Sequence, residues 1–572
     1  MKKFEKSFIT SKYISMLGSG TVLMVLTAIM GMVDTLIAGI ILGEEAVAGI
    51  CLVLPIYSLA SFFAVVFSYG VPIIYARKRG EFRKKEADQC FGVGLTVISA
   101  IGILMFIGIL LGGDVYLKSY QADIQVYESA RAYLGWMKYA VLILPFNELL
   151  DGMLFADGDE TISLTANLIQ GLLKVVLSIL FCRSMGVKGL ALASFIGFVA
   201  SILLSCIHFF RPGNTLKPNL AFSWDQFLEI LKYGIVDAST HLFISVFTMC
   251  INFFLIRQFG SEMLVLTAVI SLLKEGQILF EGIGEAITPL ISVYLGEENV
   301  HGVRKVWQLA RWSLWAESLL ATVFVLAAAP ATVSYLGILD PATARYATGG
   351  LRILSLTLFF ICRLFLDSSY FILVERVPLG ILDSLLRDLF PSIPLAVAGG
   401  MIGGIYGMFA GLSAAPLLGY LFSVWYIKKK YGSANYPLFL VEMEQKNKKQ
   451  MYEFKVLPEE IMKVRDAVGD LLKEYAYNDR MVNMVMLIFE ELFMMISDSN
   501  PQKTVLAECT LEIGDTVRLI AKDNGEINDL TDTDSSVTSL RSYTLSRLLT
   551  VRTSERVHLA ALSYNRNVLE IQ

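Results

Sequence analysis

Charged side chains are scarce inside the long apolar stretches of this 572-residue chain, so those that occur there are the first candidates for chemistry. Asp34 stands alone in one such stretch. An apolar environment favours the neutral form of a carboxylate, so such a group can take up and release a proton, or a cation, as its surroundings open and close to water. Asp237 and His241 lie four apart, on one face of a helix, the spacing of a proton relay. Lys274, Glu275, Glu281 and Glu285 share one stretch, with Glu281 and Glu285 one turn apart. Arg363 and Asp367 form another i, i+4 pair. The second-half charges fit either buried ion pairs that lock helices or a polar path. Asp383, Arg387 and Asp388 follow near the end of a later stretch.

The elements that must hold these groups are membrane helices. The hydrophobic fraction is 55% and the charged fraction 17%, with a mean hydropathy of +0.59, against a usual quarter charged. That composition excludes a disordered chain, a collagen and a basic nucleic-acid binder. A spanning helix needs about 20 apolar residues. Such runs lie near 14–42, 46–75, 88–112, 130–155, 161–182, 188–210, 226–257, 263–294, 306–336, 345–374, 379–402 and 405–427. The expected fold is therefore an all-α polytopic membrane protein with 12 transmembrane helices. The basic segments are the N-terminus, 77–85 and Lys428–Lys430, while the first loop carries Glu44 and Glu45. The positive-inside rule then places both termini in the cytoplasm of a cell-membrane protein. No cleavage site for a signal peptide follows the first run. The seven cysteines show no paired spacing and read as small buried hydrophobes.

The twelve runs divide as six plus six. Leu17-Gly18 recurs as Tyr233-Gly234, Arg79-Gly80-Glu81 as Leu295-Gly296-Glu297, and Asp151 and Phe155 as Asp367 and Phe371, all at an offset of 216. Gly186 and Gly189 recur as Gly404 and Gly407, offset 218. An even number of spans per copy makes the repeat parallel, with its axis along the membrane normal. Residues 1–216 form the expected N-lobe and 217–432 the C-lobe. Two facing six-helix bundles suit alternating access.

Met32-Val-Asp34 through Gly43, then Glu45-Ala46, resembles the first-span signature of multidrug and toxic compound extrusion (MATE) transporters. Pro145-Phe146 through Asp157-Gly158-Asp159 resembles that family's fourth span and following loop, with Phe155 where Arg is usual. Gly186 through Ser194 resembles the start of its sixth span. The resemblance covers about 10–430. It implies that Asp34 is a proton or cation site, with Asn167 and Ser194 near it. Gly171 stands where the family often has a second acid, and Lys174 follows on the same face as Asn167.

Residues 441–572 are polar, with 22 acidic and 16 basic side chains. The stretch 433–452 reads as a linker. From 453 to 572 the pattern is that of an α/β sandwich, a cytoplasmic domain: helices over 457–475 and 480–496, strands over 504–513 and 517–522 joined by Gly514-Asp515, a helix over 536–549, and a closing hairpin over 557–563 and 567–571. This order resembles the ATP-binding (Bergerat) domain of anti-sigma-factor kinases and histidine kinases. Phe489-Glu490-Glu491 resembles its acidic helix and Asp523-Asn524-Gly525 its adenine-reading box. The resemblance would place a magnesium-binding Asn where Met495 stands, and a glycine-rich lid at 530–548, which holds no glycine. A phosphate cradle needs both the metal and close backbone approach. The tail is therefore expected not to hydrolyse ATP, and the box leaves weak adenine binding open.

The resemblances imply a secondary active exporter of amphipathic or cationic small molecules, driven by H+ or Na+. It would hold no metal or cofactor, catalyse no reaction, and carry a tail that regulates it or docks a cytoplasmic protein. A flippase for lipid-linked saccharides, from the same superfamily, is the alternative. A membrane sensor kinase is disfavoured: its phosphoacceptor His should precede the ATP domain, and no histidine lies between 433 and 480.

Overall fold

The computed structural model describes residues 7–80, 83–157, 159–211, 214, 216–441, 443, 449–514, 516–526, 554–559 and 564–571. Its first half consists of helices α1 (Phe8–Leu42), α2 (Glu44–Gly80), α3 (Lys84–Ser119), α4 (Ile124–Ala156), α5 (Glu160–Met185) and α6 (Val187–Ser205). The second half consists of α7 (Trp224–Phe259), α8 (Val265–Gly276), α9 (Glu281–Gly296), α10 (Val300–Tyr335), α11 (Pro341–Ser355), α12 (Leu358–Leu373), α13 (Val377–Asp388) and α14 (Ser392–Tyr431).

Among the described residues, 10 helices are long and apolar enough to cross a membrane, or 11 if α11 and α12, which meet at 49°, form one span. The expected eleventh and twelfth runs are joined in one helical stretch, Val377–Tyr431. That stretch doubles back on itself. Gly403 (φ −119°, ψ 15°) and Gly404 (φ 64°, ψ −152°) leave the helical region. A Cβ on Gly399 would collide with the carbonyl of Gly407, and one on Gly411 with that of Leu395. Each pair is nearly equidistant from Gly403, as the two arms of a hairpin must be. The expected span 263–294 is also interrupted: a 3-10 turn, Gln277–Phe280, separates α8 from α9. Lys274 and Glu281 therefore do not keep the shared face that one continuous helix would give them.

The backbone repeats at the offset read in the sequence. Positive φ recurs at Gly43 (90°) and Gly260 (98°), at Gln121 (57°) and Gly337 (70°), and at Gly186 and Gly404 (64° each). Gly186 also has ψ −144°, close to its counterpart at Gly404. This region is open essentially to glycine alone.

The chain divides into two compact units. The larger holds Leu23–Glu281 and Leu314–Tyr426. In it α2 packs on α7 closely enough that a Cβ on Gly234 would strike the carbonyl of Val66. Pro55 lies inside α2 and cannot donate to the carbonyl four residues back. That carbonyl, Cys51 O, accepts instead from Asn252 Nδ2 of α7 at 2.8 Å, and Asn252 Oδ1 accepts from Thr267 Oγ1 at 2.7 Å. A side chain of the second repeat thus satisfies the break in the first, the condition for proline within a membrane helix. All seven cysteines are free, as small hydrophobes would be.

The smaller unit holds Met1–Val22, Gly282–Ser313 and Ile427–Gln572. It contains strands β1 (Lys449–Lys455), β2 (Leu506–Ile513), β3 (Val517–Asp523), β4 (Ser554–Leu559) and β5 (Tyr564–Ile571), with helices α15 (Pro458–Glu474) and α16 (Asp479–Ser499). The sheet is antiparallel, in the order β1-β2-β3-β5-β4. β1 corrects the linker reading: the polar stretch ends in a strand, because its alternating Met451, Glu453 and Lys455 pair with β2. Cys509, Leu511, Leu519, Ala521 and Leu569 pack with Ile488, Leu492 and Phe493 into a core under the helices. The expected helix 536–549 and the lid stretch 530–548 lie outside the described residues, as does Asp515.

Candidate functional site

Asp34 sits on α1 with only 7% of its surface exposed. Its Oδ2 accepts from Tyr133 Oη of α4 at 2.8 Å and from Ser194 Oγ of α6 at 3.3 Å. Lys174 Nζ of α5 lies 3.6 Å from the same oxygen and donates to Met30 O at 3.4 Å. Oδ1 is buried and accepts no hydrogen bond among the described residues. Four helices of the first repeat thus meet at one carboxylate, with a cation beside it and one oxygen left over. From the second repeat, Glu275 lies against Gly31, one turn before Asp34, where any side chain on the glycine would strike its carboxylate. Glu148 of α4 is half-buried.

Ser194 is where the resemblance put it, and Asn167 is not. Asn167 Nδ2 donates to Asp151 Oδ1 at 2.9 Å, and Ser163 donates to the same oxygen. Ser163 and Asn167 are one turn apart on α5, so they clamp Asp151 of α4 rather than reach α1. Gly171, in place of a second acid, lets the Met30 side chain fill the space.

A second cluster is built on α7, α8, α12 and α13. Arg363 pairs with Asp367: its Nε donates to Oδ2 at 3.0 Å, and its Nη2 stands 2.9 Å from Oδ1 as an ion pair. Arg387 grips Asp388 at 2.7 Å and 3.1 Å and reaches Thr240 Oγ1 of α7 at 3.2 Å. Lys274 donates to Asp388 O at 3.3 Å and stands 3.9 Å from the centre of the Phe247 ring. His241 lies on α7 and Glu281 opens α9. Asp383 is buried; its Oδ1 accepts from Ser423 at 2.5 Å and its Oδ2 accepts nothing among the described residues. Asp237 lies on α7, its side chain outside the described residues. Glu285 lies on α9 in the smaller unit, beside Gly20.

In the tail, the Asp523 carboxylate is already engaged: Oδ1 accepts from Gly525 N at 2.9 Å and Asn565 Nδ2 at 3.0 Å. Asn524 extends the sheet edge, its Oδ1 accepting from Leu506 N at 2.8 Å. Glu490 of α16 pairs with Arg465 at 2.6 Å, Glu491 follows it on the helix, and Met495 packs on the core. The face of the sheet away from the helices is charged yet buried. Lys522 bonds Glu508 at 3.0 Å and Glu297 at 2.6 Å, Arg566 bonds Glu297 at 2.8 Å, and Tyr294 donates to Glu508. Asn299 donates to Thr510 Oγ1 at 3.0 Å. The turn between α9 and α10 therefore plugs this face.

Sequence reading missed Tyr133 and Glu148 as site residues, and named Asp383 only as a charge near the end of its stretch. A tyrosine on an aromatic-rich helix carries no signal. The two carboxylates were visible but lay beside stronger motifs.

Residues 21–180 match the MatE family model. The comparison with curated proteins finds no match. Among solved structures, an inward-facing multidrug-resistance MATE transporter of the MOP superfamily matches with a TM-score of 0.64 and 21% identity, over 72% of this chain and 99% of its own. DinF-BH, a MATE multidrug transporter solved in complex with a rhodamine dye, matches with 0.62 and 20% identity, over 77% and 99%. A MOP-superfamily transporter from Pyrococcus furiosus, described as having a binding pocket of reverse polarity, matches with 0.57 and 21%, over 73% and 95%. The flippase reading gains no support from these neighbours. The chain is thus a multi-pass membrane protein with the fold of the MATE transporters, carrying the MatE sequence pattern over residues 21–180.

Proposed function

We propose that this chain is a secondary active exporter of amphipathic or cationic small molecules, working by alternating access and driven by protons. The observation that carries the reading is Asp34, buried with one oxygen held by two hydroxyls and an ammonium and the other unpartnered among the described residues. A lone buried oxygen is costly while it is ionised, and a proton placed there removes the cost. Sodium fits less well than a proton, because hard cations ask for a shell of oxygens and Lys174 already supplies the positive charge. Open to the side of higher proton activity, the carboxylate takes up a proton and passes neutral through the closed state; open to the other side, it is wetted and releases that proton.

The hairpin at Gly403–Gly404 and the bent α11–α12 pair support a reading of twelve crossings. The basic ends of α2 and α14 support a cytoplasmic location for both termini. The tail acts on the transporter rather than on a separate protein through its charged sheet face, since the α9–α10 turn occupies that face. Its acidic box and Glu491 do not hydrolyse ATP.

The test is transport of a cationic rhodamine dye by the purified full chain in proteoliposomes, with pH and Na+ gradients imposed separately. Transport driven by the pH gradient alone is expected. Transport that requires Na+, or no transport under either gradient, contradicts the reading.

A further inference from the structure

A cavity of about 470 Å³ opens between α10, α11 and α14, away from the carboxylate sites. On α11, Arg345, Thr348, Gly349 and Arg352 line it, at the i, i+3, i+4, i+7 spacing that puts side chains on one helix face. Ser334 and Tyr406 add hydroxyls, and Pro330, Val333 and Ile338 form apolar walls. Gly349 lets the Tyr406 ring lie against α11, with its hydroxyl on Arg345 O at 3.2 Å.

The charges in this cavity are one-sided. Arg345 Nε donates to Pro341 O at 3.2 Å, and the nearby carboxylate of Asp340 is spent on capping α11 through Thr343 N at 2.7 Å. The Arg352 guanidinium is exposed and has neither acid nor hydrogen-bond partner among the described residues. It stands eleven residues into α11, about 16 Å along a helix axis. The surface beside the cavity is apolar: Tyr335, Leu339, Leu356, Met401 and Ile402 are all exposed. An unpaired guanidinium at that depth is expensive and calls for a counter-charge.

We infer that this cavity binds the head group of an anionic phospholipid. The phosphate sits between the two guanidiniums, which suit it by planar, two-pronged hydrogen bonding. Thr348, Ser334 and Tyr406 receive the glycerol oxygens, and the acyl chains run over the exposed apolar side chains. A zwitterionic head group brings an ammonium into a cavity that already holds two cations and binds less well. The leaflet is the one that holds the α10–α11 turn, the outer leaflet if both termini are cytoplasmic.

Native mass spectrometry of the full chain, titrated with phosphatidylglycerol or phosphatidylcholine, tests this. Wild type is expected to retain phosphatidylglycerol preferentially. Arg345→Gln with Arg352→Gln should weaken that retention about tenfold and leave phosphatidylcholine unchanged. Ser334→Glu keeps both arginines but gives them a protein carboxylate, and should displace the lipid to a similar extent. Equal phosphatidylglycerol retention by wild type and either variant overturns the inference. So does displacement of the lipid by glycerol 3-phosphate or inorganic phosphate, which would make the cavity a soluble-anion site.

Discussion

At Asp34 the central question is what the neighbouring ammonium does. Removing one partner of a buried pair strands the other, at a cost of about 3 kcal/mol. Lys174→Met should therefore lower thermal stability by roughly that amount. Asp34→Asn in the same chain should restore most of it, giving a coupling energy of about 1–3 kcal/mol in the double-mutant cycle. Additive losses would mean that the 3.6 Å approach of Lys174 to Asp34 carries no energy. Arg363 and Asp367 make the contrasting case. A hydrogen-bonded ion pair within one helix and almost no exposure fit a structural lock. Asp367→Asn should cost about 3 kcal/mol of stability, and transport per folded molecule should stay near wild type; a changed substrate preference at unchanged stability would put the pair on the transport path instead. Asp34 was legible because a carboxylate in an apolar run has no innocent place to go. Its partners were not, since hydroxyls and tyrosines are compatible with any helix face. Asn167 misled because a motif fixes a helix position, while the partner is chosen by the nearest acceptor, here Asp151.

At the scale of elements, most helices follow from hydropathy alone, and the boundaries that hydropathy blurs are set by glycine. The reversal inside 377–431 falls between the two expected runs, 379–402 and 405–427, where Gly404 adopts a backbone that other residues avoid. Gly404→Ala and Gly186→Ala should each cost about 1–3 kcal/mol, read as loss of thermal stability in detergent, while Gly403→Ala, at φ −119°, should cost far less. Equal effects at the two adjacent glycines would remove the strain argument. The repeat was readable because such turn glycines recur at a fixed offset. The break between α8 and α9 was not, since the Gln277–Phe280 turn keeps an apolar, helix-like pattern.

Across the whole molecule, the tail was readable as two helices and an antiparallel sheet, but not as a sheet with two covered faces. Glu508, Thr510 and Lys522 alternate with apolar residues in the way a solvent-facing side does. All three are fully buried, because Tyr294, Glu297 and Asn299 arrive from more than two hundred residues earlier to meet them. Lys522→Met takes the cation from Glu508, while Glu297 keeps Arg566, and should cost about 3 kcal/mol. The expected readout is faster proteolytic release of the tail from the full chain; unchanged protection would show that the buried charges do not hold it. The tail should also add no ATP turnover to the full chain beyond that of Glu491→Ala, and Mg²⁺-dependent turnover above that control would make it an enzyme.

The central claim is that Asp34 couples a proton to export, and its most direct measurement is pH-gradient-driven transport of the rhodamine dye by Asp34→Asn in proteoliposomes, normalised to folded protein. The asparagine keeps the size and the hydrogen-bonding partners of the site and removes the titration. Transport should fall to the level of empty vesicles while the protein remains folded and inserted. Wild-type transport by Asp34→Asn under the same gradient would contradict the account.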